Sequence, residues 1–135
     1  MKITICGSST FVKEMREAER YLTEKGLKVF TPEPLVTEEE YSTKYGREEL
    51  LKMKPFFTKR HFKKIEKSDS VLIMNYEKRG IKGYFGSNTL IELAVAFYLD
   101  KRIFLLNPIN ENHPHFEELA GIESIVLNGD LNRLI

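Results

Sequence analysis

The sequence predicts an α/β protein: a three-layer sandwich, flavodoxin-like or Rossmann-like, around a five-stranded parallel sheet of order 2-1-3-4-5. Two observations carry this. Short β-branched runs alternate with stretches of helical period, the pattern of βαβ units. The strand runs "ITIC", "SVLIM" and "RIFLL" are also apolar without alternation, so both sheet faces need helices over them.

The elements follow in order. Residues 3–6 form a first strand ending at Gly7. "GSST" leads into a helix in which Phe11, Val12, Met15, Ala18, Tyr21 and Leu22 recur at helical spacing, and Gly26 stops it. "LKVFT" (27–31) is the second strand, closed by "PEP". Residues 70–75 are the third strand, 102–106 the fourth and 124–127 a short fifth, with a helix over 89–100. Residues 35–67 are an insertion between strands two and three. Thr37 and Glu40 have capping-box spacing, Gly46 interrupts that helix, Pro55 ends it, and a second short helix covers 58–67. The insertion reads either as a lid over the site or as a plain crossover with an extra turn.

Length suits one domain, residues 1–135, with one core. The chain is 41% hydrophobic and 30% charged, and its formal net charge of +1 gives no field suited to nucleic acid or a membrane surface. Cys6 is the only cysteine and cannot close an internal disulfide, which fits a reducing, cytoplasmic location. No signal peptide or apolar run of about 18 residues is visible.

In an open parallel sheet, ligands bind outside the carboxyl ends of the strands, where strand order reverses. "CGSST" leaves strand one and "NYEKRGIKGYFGSNT" leaves strand three, so both loops converge on one crevice. Gly7, Ser8 and Ser9 bring free backbone N–H groups to a helix start, which suits a phosphate or another anion. The stretch is neither a Walker loop nor GxGxxG. Helix capping by Ser9 or Thr10 explains the same residues.

Glu92 is the only charged residue between Lys82 and Asp100. Thr89-Leu-Ile-Glu92 fits a capping box. The helix around it is apolar on most sides, and an ionised carboxylate in such surroundings needs a partner. Held in a crevice, it could act as nucleophile or base. Asp69 opens strand three, where a turn or cap is the plainer role. His61 shares a helical face with Phe57 and Ile65 and reads as a packed side chain. "NHPHFEE" matches no zinc motif, so no metal or cofactor is expected. Cys6 reads as a buried strand residue.

Three stretches together resemble the nucleoside 2-deoxyribosyltransferase-like superfamily, which includes the 2'-deoxynucleoside 5'-monophosphate N-glycosidases. "ITICGSS" resembles the opening strand and turn. "SDSVLIM" aligns Asp69 with the acid that opens the third strand. "GSNTLIELAVAFYLDKRIFLL" aligns Glu92 with the catalytic glutamate. The resemblance spans most of residues 1–107. It departs at Ala94, where the family has glycine, and at Gly86, where the transferases carry an acid.

The resemblance implies N-glycosidic bond cleavage or deoxyribosyl transfer on a nucleoside or nucleoside 5'-monophosphate. Glu92 would attack the anomeric carbon, and Asp69 would protonate or orient the departing base. Gly7, Ser8, Ser9, Gly86, Ser87 and Asn88 would line the sugar or phosphate pocket. A homo-oligomer with a small-molecule partner and no cofactor is also implied. The alternative is a non-catalytic nucleotide-binding or sensing domain on the same fold.

Overall fold

Strands β1 (Lys2–Cys6), β2 (Lys28–Phe30), β3 (Ser70–Ile73), β4 (Arg102–Leu105) and β5 (Ile125–Val126) pair in parallel in the order β2-β1-β3-β4-β5. The predicted sheet is therefore observed. The computed structural model describes residues 1–44 and 46–135, and the side chains of all of these except residues 38, 41 and 42. Helices α1 (Val12–Glu24), α2 (Glu38–Lys44), α3 (Arg47–Lys67), α4 (Ser87–Tyr98) and α5 (Phe116–Ala120) connect or flank the strands.

Side chains alternate across each strand and sort the core into two layers. On one face Ile3, Ile5, Leu72, Met74, Phe104 and Leu106 pack against Val12, Met15, Ala18 and Leu22 of α1. On the other, Cys6, Val71, Ile73, Ile103 and Leu105 pack with Ile65 of α3 and with Leu93 and Ala96 of α4. Both faces are covered, as the unbroken apolar strands require. Among the described residues, no helix is long and apolar enough to cross a membrane.

Three local expectations are corrected. Pro55 does not end a helix, because α3 runs through it. An interior proline costs about 3 kcal/mol. Beyond it, His61 and Ile65 are buried against the sheet and α4, and this packing offsets the cost. The 35–67 insertion thus ends in a crossover helix.

The fourth helix starts at Ser87, two residues before the expected start, with Gly86 as its N-cap and no side-chain cap. Thr89 lies inside the first turn, so the Thr89–Glu92 capping box does not form. Its earlier counterpart is half made: the Glu40 amide donates to Thr37 Oγ1 over 3.1 Å. Finally, α4 is not covered on most sides. Ile91, Phe97 and Tyr98 are exposed, Tyr98 by 85%.

The carboxyl edge of the sheet is tied by side-chain amides. Asn75 Nδ2 donates to the Asn107 carbonyl over 2.7 Å, and the Asn107 amide donates to Asn75 Oδ1 over 2.9 Å. Between β3 and α4 the chain folds back on itself, with Lys78 and Ile81 exchanging backbone hydrogen bonds around Arg79 and Gly80. Both central residues have positive φ, 54° and 74°, the geometry of a tight two-residue turn. Gly83, also at positive φ, packs against the Pro108 carbonyl, where a side chain would collide.

His113 fixes the lead-in to α4, since its Nε2 accepts the Phe85 amide N–H over 3.0 Å. Burial, and then the neighbouring His115, hold its pKa below the ordinary histidine value. The unfolded chain therefore takes the proton more readily, and stability falls as pH drops from about 6.5 through the lower folded value. Urea unfolding should show the midpoint falling between about pH 7 and about pH 5, with a shallower fall in His113→Gln. An unchanged slope in the variant would remove His113 as the cause.

Candidate active site

Parallel pairing places the ends of β1 and β3 side by side, with Cys6 opposite Ile73. Gly7 follows at the carboxyl edge. A Cβ there would come within 3.1 Å of Met15 Sδ and 3.3 Å of Met74 Cβ, so glycine lets the chain turn closely over the sheet. Ser8 then caps a short 3-10 turn, Ser9–Phe11, that leads into α1. The cap is Ser8 rather than Ser9 or Thr10: its Oγ accepts the Thr10 amide over 3.2 Å.

Lys78 reaches the same hydroxyl from the β3 loop, with Nζ donating to Ser8 Oγ over 3.2 Å. This joins an ammonium group to the amide-rich turn, a combination that suits an anion. Lys78 was not singled out in the sequence. The lysines and arginine of "EKRGIK", in the loop that leaves the carboxyl end of β3, were the available signal. The rings of Phe11 and Tyr76 lie 5.0 Å apart at this end. Burial, then Glu14 and Glu17, raise the Tyr76 hydroxyl above its usual range.

On the other face of β1 stands Glu92, in the second turn of α4 and 9% exposed. Its Oε2 lies 2.5 Å from His61 Nε2, and His61 is itself 5% exposed. His61 comes from α3 and is held by the packing of Ile65, one turn further on. Cys6 Sγ is 3.4 Å from the same imidazole nitrogen. Burial raises the Cys6 pKa well above the ordinary thiol value, and the charge and hydrogen bond of Glu92 add to this. Cys6 therefore stays a thiol that can donate to the carboxylate, and its own nucleophilicity is suppressed.

The expected residues fall into three groups. Gly7, Ser8 and Ser9 leave the end of β1, directly after Cys6. Gly86, Ser87 and Asn88 form the start of α4, where Asn88 shares a helical face with Glu92 one turn on. Asp69 is elsewhere. It precedes β3 at the amino edge of the sheet, level with Lys2 and four residues below Cys6, or about 13 Å at the rise of a strand. Its Oδ2 accepts the Lys2 amide over 2.8 Å, and that bond lowers its pKa. The structure thus does not bring Asp69 to Glu92, and its role as acid for the departing base is withdrawn. His61, expected only to pack, occupies the place beside Glu92 instead.

The computed structure resembles solved structures over nearly its whole length. A 2-deoxyribosyltransferase from Bacillus psychrosaccharolyticus superposes with a TM-score of 0.62 at 19% identity, over 99% of this chain and 96% of the other. The CMP N-glycosidase BcmB of Clostridium botulinum superposes with a TM-score of 0.54 at 16% identity, over 99% and 98%. No protein-family model and no curated protein matches the chain. The superfamily resemblance drawn from the motifs therefore holds at the level of fold.

The thiol environment gives a direct check. Iodoacetamide should label Cys6 in the native protein more than about tenfold slower than in the urea-unfolded chain, as read by mass spectrometry. Equal rates would mean that the thiol is neither buried nor held protonated.

Proposed function

We propose that this protein cleaves the N-glycosidic bond of a nucleoside or nucleoside 5'-monophosphate, or transfers its deoxyribosyl group, with Glu92 as nucleophile. The observation that carries this reading is the pairing of Glu92 with His61 at the carboxyl end of β1, on a fold shared with a deoxyribosyltransferase and a CMP N-glycosidase.

In the first step a Glu92 oxygen bonds to the anomeric carbon as the carbon–nitrogen bond breaks. The base departs with the bonding pair and takes a proton from solvent. In the second step water, or an acceptor base, bonds to the anomeric carbon, gives up a proton to solvent and displaces the carboxylate. The His61 N–H and the Cys6 S–H hold the Glu92 carboxylate for attack and receive it again as it leaves in the second step; His61 acts as a positioning residue. The Gly7–Ser9 turn with Lys78 holds the 5' end of the sugar or its phosphate, and Ser87 and Asn88 close the side towards α4.

A binding or sensing domain is the second reading. It is favoured by the burial of the Glu92 side chain, which is only 11% exposed. Chromatography of nucleosides and deoxynucleoside 5'-monophosphates incubated with the protein separates the two. Base release that falls at least about 1,000-fold in Glu92→Gln supports the nucleophile. Asp69→Asn should stay within about threefold of the parent, and Lys78→Ala should raise KM about tenfold for monophosphates only. Unchanged release by Glu92→Gln would remove the nucleophile. Nucleotide binding without release from any substrate would establish the sensor.

The open apolar stripe of α4 supports the expected homo-oligomer. Two shallow grooves of about 420 and 480 Å³ lie along α3 and α4, sharing Phe62 and lined by Leu51 and Pro55 or by Ile91, Val95 and Tyr98. Burying such a stripe against a second copy removes apolar surface from water. Sedimentation should show a species larger than the monomer, shifted towards monomer by Tyr98→Lys. A parent protein that is monomeric at all concentrations would reject the homo-oligomer.

A further inference from the structure

Three elements that are distant in sequence deliver one metal-ligating atom each to a single buried point. Cys6 Sγ from β1, His61 Nε2 from α3 and a carboxylate oxygen of Glu92 from α4 all lie within 4.8 Å of one another. We propose that this trio is a binding site for a borderline divalent transition metal, zinc foremost, with three protein ligands and a fourth position left for water.

The donor set selects the class of ion. Magnesium and calcium take shells of six or more oxygens and do not favour a thiolate, whereas thiolate, imidazole and carboxylate together suit zinc. Charge points the same way. A dication with ionised Cys6 and Glu92 and a neutral imidazole forms an electrically neutral unit, which is the least costly form in which to bury ionic groups.

Geometry is close to what is required. Tetrahedral bonds of about 2.0 Å to nitrogen and oxygen and about 2.3 Å to sulfur place N and O about 3.3 Å apart, and S and N about 3.6 Å apart. The S–N separation is already 3.4 Å. The N–O separation of 2.5 Å must open by about 0.8 Å, which a small rotation of the Glu92 side chain provides. The elements carrying the ligands are fixed by the core, so little ordering accompanies binding.

One feature limits the affinity. With Nε2 on the metal, the imidazole proton sits on Nδ1, which is buried and without a hydrogen-bond partner among the described residues. Metal sites whose histidine lacks such an outer partner lose about 10- to 100-fold in affinity. Binding releases the thiol proton to solvent and engages the Glu92 oxygens. A loaded protein therefore has no free nucleophile, so metal occupancy and base release exclude each other. The site itself stands independently of the glycosidic reading.

Cobalt is the probe. Protein stripped with chelator and exchanged into chelator-free buffer is titrated with Co²⁺ alone and followed by absorption. The expected result is one ion per chain, with the intense visible bands of tetrahedral cobalt and a thiolate-to-cobalt charge-transfer band in the near ultraviolet. Cys6→Ser should lose the charge-transfer band, and His61→Gln should weaken binding at least about tenfold. Full retention of the signal in Cys6→Ser, or only octahedral cobalt in the parent, would overturn the site. If the variants fail to fold, X-ray absorption of the zinc-loaded parent decides. One sulfur at about 2.3 Å with lighter atoms at about 2.0 Å supports the site, and a shell of nitrogen and oxygen alone rejects it.

Discussion

A carboxylate buried between a sheet and two helices constrains the whole of one face of this molecule. Glu92 cannot sit there ionised without donors, and removing one partner of a buried pair typically costs about 3–5 kcal/mol. The partners come from separate elements: His61 from α3 and Cys6 from the last residue of β1. Meeting them fixes the position of the second turn of α4 over the strand end. It also fixes the rotation of α3, because Ile65 must enter the core on the face that presents His61. Packing and polar pairing thus specify the same arrangement.

The end of β1 divides two chemistries. The Cys6 side chain turns towards α3 and α4 and meets the buried trio. Gly7 and Ser8 continue past the edge of the sheet towards α1, where amide groups and Lys78 gather. The chain's resemblance to a deoxyribosyltransferase and an N-glycosidase lies in the scaffold that creates this division.

Much of the scaffold was legible because parallel strands buried on both faces cannot hide their composition. Glu92 was legible for the same reason: a single acid in an apolar helix stands out. His61 was not, because its meaning depends on Cys6, 55 residues away in sequence, and on Glu92 in a third element. The place of Asp69 is legible from topology alone. A residue that opens a parallel strand lies at the amino edge, and ligands gather at the carboxyl edge. Pro55 signals a helix end by local propensity alone, but the second half of α3 is held by tertiary contacts that carry no local mark. The exposed stripe of α4 was invisible since an apolar residue carries no mark of which neighbour covers it.

The paired amides of Asn75 and Asn107 hold the tips of β3 and β4 together at the carboxyl edge of the sheet. Neither side chain titrates, and neither can bind a transition metal with the strength of imidazole or thiolate. The seam between β3 and β4 is therefore tied by groups that ignore changes in acidity, whereas the lead-in to α4 hangs on His113, which answers to them. Acid therefore acts on the seating of α4 and leaves the join between the two strand tips intact.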